Sequence, residues 1–174
     1  MFIEHELKIP WGCEIRVDTI EDEDAYLLRE AGCQLIATGI ESASLDVLRK
    51  NFKYQEPKRV MKGLLSLKKY KIPIQAYFVL GLPGETEETF QETIDYINTL
   101  PLDENDRINY FVATPYPGSR LWDEKEHFNI NIIETNFAKY DCEHLIFETE
   151  ELSKIKLENL YLTAKQIENR FNKE

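Results

Sequence analysis

The sequence predicts an α/β fold with about four parallel strands, flanking helices and a closing C-terminal helix. Short apolar stretches alternate with amphipathic helical stretches, the pattern of a parallel sheet with right-handed crossovers. The run Ala76-Tyr77-Phe78-Val79-Leu80 is too short for a helix and reads as a strand buried on both faces. Gly81-Leu82-Pro83-Gly84 stops that strand, and Thr86, Glu88 and Thr89 open a helix directly after it. Such turns are where small ligands dock in α/β folds, against backbone N–H groups at the carboxyl end of a strand. Any strand–helix unit also needs a glycine turn and a cap, so the turn alone does not define a site.

Residues 1–11 form an entry segment. Residues 13–17 alternate apolar and charged side chains and predict the first strand, broken at Asp18-Thr19. Thr19 or Asp18 caps a helix over 21–31 with Ala25, Leu27, Leu28 and Ala31 on its apolar face, and Gly32 ends it. Residues 33–40 are nearly all apolar or small and predict the second strand. Ser44 caps a short helix to Arg49, residues 51–55 form a loop, and Pro57 suits the first position of a helix reaching Tyr70. The third strand covers 74–80. Its helix, 86–100, turns Phe90, Thr93, Ile94 and Ile97 inward and stops at Pro101. A fourth strand over 107–113 leads to a short helix over 120–126. Residues 128–148 read as irregular, with a short strand at 145–147. Ser153 begins the closing helix to Phe171, whose apolar residues include Ile155, Leu157, Leu160, Leu162, Ala164 and Ile167.

The 174 residues suffice for one domain with a real core. A net charge of −11, from 32 acids and 21 bases, argues against a nucleic-acid partner, which needs a basic face. Cys13, Cys33 and Cys142 are widely spaced, as are His5, His127 and His144, so neither a disulfide framework nor a metal motif is legible. Reduced thiols in a cytoplasmic protein are the simplest account. No apolar run is long enough to span a membrane, and the start lacks the basic and apolar regions of a signal peptide.

Just past the strand ends lie Asp18, Glu41-Ser42, the Gly81–Gly84 turn and Thr114-Pro115-Tyr116, which gathers polar groups and glycines on one rim. Four strands are too few to close a barrel, so the pattern reads as part of something larger. Five stretches in this order carry a more specific likeness: Cys13-Glu14-Ile15-Arg16-Val17-Asp18, Ala31-Gly32-Cys33, Gly39-Ile40-Glu41-Ser42, Gly81-Leu82-Pro83-Gly84-Glu85-Thr86 and Pro115-Tyr116-Pro117-Gly118-Ser119. Together they resemble the radical S-adenosylmethionine enzymes, in the branch whose members often carry a cobalamin-binding domain upstream. The resemblance implies a partial (β/α) barrel of which this chain, 1–174, is a single-domain fragment: strands three to six with a C-terminal helical extension. Family members bind a 4Fe–4S cluster through a C-x3-C-x2-C loop after strand one, and that motif is absent from the sequence. The implied cofactors are therefore S-adenosylmethionine, with the cluster and a cobalamin belonging to an intact parent. The intact enzyme would start radical chemistry on an unknown small molecule, and this chain alone would be inactive.

The resemblance also implies site residues. Glu41 corresponds to the acidic or amide residue facing the methionine or ribose of the cofactor, or else is a helix-leading acid favoured by the dipole. Arg16 would pair with the cofactor carboxylate or substrate, or else with Glu14 or Asp18. Ser42 would hydrogen-bond the cofactor or cap a helix. Lys53 would lie near the cofactor carboxylate or be a surface lysine. Gly81 and Pro83 would shape the turn against the adenosyl group, Ala113 and Thr114 would meet the adenine edge, and Tyr116 would line the substrate opening. Phe78 and Phe111 read as core. No catalytic residue and no metal ligand is identified. The rival reading is a free-standing, cluster-free module binding S-adenosylmethionine or a nucleotide on the same rim. A fragment also implies an unpaired sheet edge and self-association through it.

Overall fold

In the computed structural model, which describes residues 9–172, the alternation of the strands builds one sheet. Strands β1 (Trp11–Glu14), β2 (Cys33–Glu41), β3 (Ile74–Leu80) and β4 (Arg107–Val112) lie in the order β1-β2-β3-β4, every neighbouring pair parallel. Helix α1 (Asp22–Glu30) links β1 to β2. Helices α2 (Leu45–Lys50) and α3 (Pro57–Lys69) link β2 to β3, and α4 (Glu87–Ile97) links β3 to β4. A short α5 (Arg120–Asp123) follows, then an antiparallel pair β5 (Ile130–Ile132) and β6 (Phe147–Thr149), and α6 (Lys154–Phe171) closes the chain. The expected α/β fold of four parallel strands, flanking helices and a C-terminal helix is what forms. Among the described residues, no helix is long and apolar enough to cross a membrane.

The core sits between one face of the sheet and the helices. Ile36 and Ile40 of β2, Ile74, Ala76, Phe78 and Leu80 of β3, and Ile108 and Tyr110 of β4 meet Leu64, Leu67, Phe90, Ile97 and Leu157. The opposite face is half open: β3 alternates buried and half-buried along its whole length, with Gln75, Tyr77 and Val79 half-buried. The apolar run that reads as buried on both faces is thus buried on one. Phe78 is core, whereas Phe111 is 37% exposed and packs edge-on against Tyr77, ring centroids 5.4 Å apart.

Other boundaries moved for local reasons. The first strand lies two to three residues earlier than expected, because Trp11 pairs with Cys33 and the chain turns into a 3-10 turn at Val17–Thr19. Neither Thr19 nor Asp18 caps α1; Glu21 does, in a reciprocal box with Asp24. Leu27, Ile155 and Leu162 point outward, at 44%, 71% and 63% exposed, since each helix needs only a narrow apolar stripe. The segment expected to be irregular contains β5, and β6 starts two residues later than the predicted strand. Most of the entry segment, with His5, lies outside the described residues.

Two polar devices hold the sheet. At its amino end the wholly buried Asp106 accepts from Ile74 N at 2.8 Å, Asp103 N at 2.8 Å and Lys68 Nζ at 2.6 Å. On the outer side of β4, Asn172 acts as a surrogate strand: its Oδ1 accepts from Ile108 N at 3.0 Å and its Nδ2 donates to Ile108 O at 2.7 Å. Cys142 O accepts from Val112 N further along. The β4 edge is covered in this way, and β1 forms the other edge of the sheet.

Candidate functional site

β2 leaves the sheet through a bulge between Gly39 and Glu41, with Glu41 at φ 65°. A non-glycine residue in that left-handed region is disfavoured by about 1 kcal/mol or more. The conformation turns the Glu41 carboxylate back over Gly39. Lys53, in the loop between α2 and α3, donates to Gly39 O and to Glu41 Oε1, both at 2.6 Å. A Cβ on Gly39 would lie 2.2 Å from Glu41 Oε1 and 3.1 Å from Lys53 Nζ, so the missing side chain makes room for the pair. Glu14, Ile15, Arg16, Gly39, Glu41 and Lys53 line one open groove of about 310 Å3 along the carboxyl ends of β1 and β2.

Arg16 reaches this groove but is anchored. Its Nε and Nη2 donate to Asp18 at 3.1 and 2.8 Å, and Nη2 also donates to Tyr54 O at 2.7 Å. The Asp18 carboxylate raises the guanidinium pKa further, so Arg16 is a fixed cation. Three of the expected residues, Arg16, Glu41 and Lys53, are therefore brought together.

The others are placed differently. Ser42 is buried, its Oγ 3.2 Å from Thr93 Oγ1 on α4 and accepting from Ser44 N at 3.2 Å. It ties the β2 exit to α4. The Gly81 N–H is not available to a ligand, because the buried Glu85 takes it at 2.6 Å. Pro83 is buried and its carbonyl accepts from Asn51 Nδ2 at 3.0 Å. Ala113 N donates to Leu80 O at 2.8 Å, and Thr114 Oγ1 donates to Val112 O at 3.0 Å. The Tyr116 hydroxyl donates to Tyr140 O at 2.9 Å and lies 3.3 Å from Cys142 Sγ; the Cys142 thiol, with some desolvation, pushes its pKa up to about 12. It braces the loop after β4.

Reasoning from the sequence missed two groups. Gln75, Tyr77, Asn109 and Phe111 line the open face of the sheet, with Gln75 Nε2 donating to Asn109 Oδ1 at 2.9 Å. Strand parity was the available signal, since Tyr77 sits between Ala76 and Phe78 and must face away from them. Glu85 was the other. It is 1% exposed, and burial lifts its pKa to about 8 against the single N–H bond from Gly81.

The cysteines do not form a cluster site. Burial raises the pKa of both Cys13 and Cys33, which disfavours the thiolates a metal requires, and no cluster of three or more ligating side chains occurs among the described residues.

A parallel sheet with helices on one face, an open opposite face and a charged groove at its carboxyl rim defines a partial (β/α) barrel, the class of fold whose small-molecule sites lie at that rim. Comparison with known proteins narrows the class: the Radical SAM superfamily model matches residues 1–97, and the chain belongs to that superfamily. An uncharacterized methyltransferase of Pyrococcus horikoshii is 31% identical over 154 residues, covering 86% of this chain and 33% of that protein. The bacteriochlorophyllide d C-12(1)-methyltransferase of Chlorobaculum tepidum is 31% identical over 157 residues, covering 87% of this chain and 32% of the relative. The chain thus spans about a third of the length of these relatives. Among solved structures, the radical S-adenosylmethionine methyltransferase TsrM from Kitasatospora setae, with cobalamin and a 4Fe–4S cluster bound, shares the fold. It superposes with a TM-score of 0.60 at 14% identity, over 86% of this chain and 30% of that one.

Proposed function

We propose that this chain is the strand-three-to-six part of a radical S-adenosylmethionine enzyme and holds S-adenosylmethionine at its carboxyl rim. The observation that carries the reading is the Glu41–Lys53 pair, folded over the Gly39 carbonyl by a left-handed Glu41. Lys53 occupies Glu41 Oε1 and leaves Oε2 to accept from a ribose hydroxyl or the cofactor's ammonium. Arg16, anchored by Asp18, offers a fixed positive charge to the cofactor carboxylate in the same groove. Gly81 and Pro83 serve as a rigid wall, Ala113 with Thr114 offers backbone acceptors to a base edge, and Tyr116 holds the loop bordering the substrate side. Tyr77 and Phe111 on the open face are suited to contact a substrate, an unidentified small molecule. Ser42 serves the fold.

When bound and reduced by a cluster, S-adenosylmethionine supplies a 5′-deoxyadenosyl radical. The residues here fit the cofactor but not the cluster: the sequence lacks C-x3-C-x2-C, and although Cys13 and Cys33 are neighbours on adjacent strands, no third ligating side chain joins them among the described residues. The cluster ligands, like any cobalamin domain, are assigned to protein outside this sequence, and the chain alone is inactive. A cytoplasmic setting suits its free thiols, and the β1 edge is where self-association would occur.

Titration calorimetry of the chain with S-adenosylmethionine tests this. Saturable binding is expected, weakened about tenfold or more in Glu41→Gln, which loses a charge-assisted acceptor. Anaerobic treatment with iron and sulfide should yield no stoichiometric 4Fe–4S cluster. A stable cluster, or unchanged binding in Glu41→Gln, would overturn the reading.

A further inference from the structure

Helix α2 is followed by Asn51-Phe52-Lys53, and the chain turns there in a Schellman motif: Phe52 N donates to Arg49 O at 3.0 Å and Lys53 N to Leu48 O at 2.8 Å. The motif needs a left-handed residue at its turning point, usually glycine. Here that residue is Phe52, at φ 59°. A bulky side chain is disfavoured in this region, so contacts outside the turn must hold it. Lys53 comes next in the chain. The Phe52 backbone therefore sets the direction from which the Lys53 ammonium reaches Gly39 O and Glu41 Oε1.

Two groups hold the Phe52 ring, and both lie in the segment after β4. The Arg120 guanidinium stacks on its face, 3.7 Å from the centroid, and Phe128 meets it edge-on at 6.2 Å. Each is fixed in turn. Arg120 Nε donates to Glu124 Oε1 at 2.8 Å, and Phe128 is buried in a second apolar cluster with Ile130, Ile146 and Phe147. Asn51 ties the same loop from another side, its Nδ2 donating to Pro83 O at 3.0 Å. Neither Arg120 nor Phe52 lines the rim groove itself.

We propose that Arg120 is a positioning residue for the rim site: stacked on Phe52, it fixes the left-handed turn that carries Lys53 over Glu41. A held ammonium fixes one oxygen of the Glu41 carboxylate, which then need not be reordered when a ligand arrives. As regards the cofactor, this inference rests on the reading of the rim as an S-adenosylmethionine site.

The test reads the Lys53 ammonium directly. Brief acetylation of the chain with an N-hydroxysuccinimide ester, resolved by mass spectrometry, gives the rate at Lys53 relative to the exposed Lys58. Arg120→Ala should raise the Lys53 rate about two- to fivefold, the factor of one exposed cation–π contact, and leave Lys58 unchanged. Titration calorimetry should show S-adenosylmethionine binding weakened by a similar factor. Arg120→Lys keeps a cation over the ring and should restore most of both. Phe52→Gly should raise the Lys53 rate as Arg120→Ala does, with little change in melting temperature, because glycine removes the backbone strain along with the ring. An unchanged Lys53 rate in both Arg120→Ala and Phe52→Gly would overturn the proposal. So would a Lys58 rate rising in step, which reports general loosening, or unaltered affinity in these variants of a chain that binds the cofactor. A parent that binds no S-adenosylmethionine yet shows the expected Lys53 rates would remove the cofactor reading and leave the clamp on Lys53 standing.

Discussion

Replacing Asp106 by Ala should lower the unfolding free energy by about 3–5 kcal/mol, the cost of removing one partner from a buried charged network. Three donors converge on this carboxylate: the N–H groups of Ile74 and Asp103 and the ammonium of Lys68. They join the start of β3, the turn before β4 and the last turn of α3. Truncation strands the two N–H groups, of which the Ile74 N–H is buried, while Lys68 keeps its second partner, Asp103, at 2.7 Å. Asp106→Asn keeps an acceptor for Ile74 but loses the charge facing Lys68, so it should cost less than Ala. Since domains of this size are stable by about 5–15 kcal/mol, the loss should be plain in urea midpoints. An Ala variant within 1 kcal/mol of the parent would show that Asp106 is dispensable.

Glu85 should make the fold sensitive to alkali. Its pKa is lifted from 4.5 to about 8, chiefly by burial, with the Gly81 N–H opposing. The folded state therefore keeps a proton that the unfolded chain releases, and unfolding sheds protons between those two values. The contribution of neutral Glu85 is fully present below pH 4.5 and is lost as pH rises toward and through 8, with a slope on the order of 1 kcal/mol per pH unit. Glu85→Gln preserves shape and can still accept from Gly81 N, yet cannot ionise. It should melt with the parent near pH 4.5 and above it at pH 8. Tyr110 does not titrate in this window, because burial and the neighbouring Glu85 charge raise its pKa. Equal pH slopes in parent and variant would remove Glu85 from the account.

Much of the fold was legible because the elements carry their own punctuation. The expected limits of β3 match the observed strand, Pro57 starts α3, and Thr86 caps α4 with Phe90, Thr93, Ile94 and Ile97 buried below it. Weaker signals slipped. The alternation over 13–17 belongs to a strand that begins at Trp11, since partner strand and turn set the register. The three-residue β5 is too short to announce itself by periodicity.

The site was legible in part. Arg16, Glu41 and Lys53 could be named from their places after strands, but not their arrangement. Twelve residues separate Glu41 from Lys53, and only the bulge at the end of β2 and the loop after α2 bring Oε1 and Nζ together.

By itself the sequence determined the parallel α/β order, most of the helix and strand limits, the polar rim and the superfamily, because local periodicity, caps and glycine turns are short-range properties. Tertiary structure decided which face of the sheet stays open, that Asp18 holds Arg16, that the Gly81 N–H is taken by Glu85, and that the Gln55 amide is buried without a hydrogen-bond partner among the described residues. Each of these depends on solvent exclusion and pairing by residues distant in the chain, which raise the pKa of Glu85 and fix Arg16 in ways that no local pattern encodes.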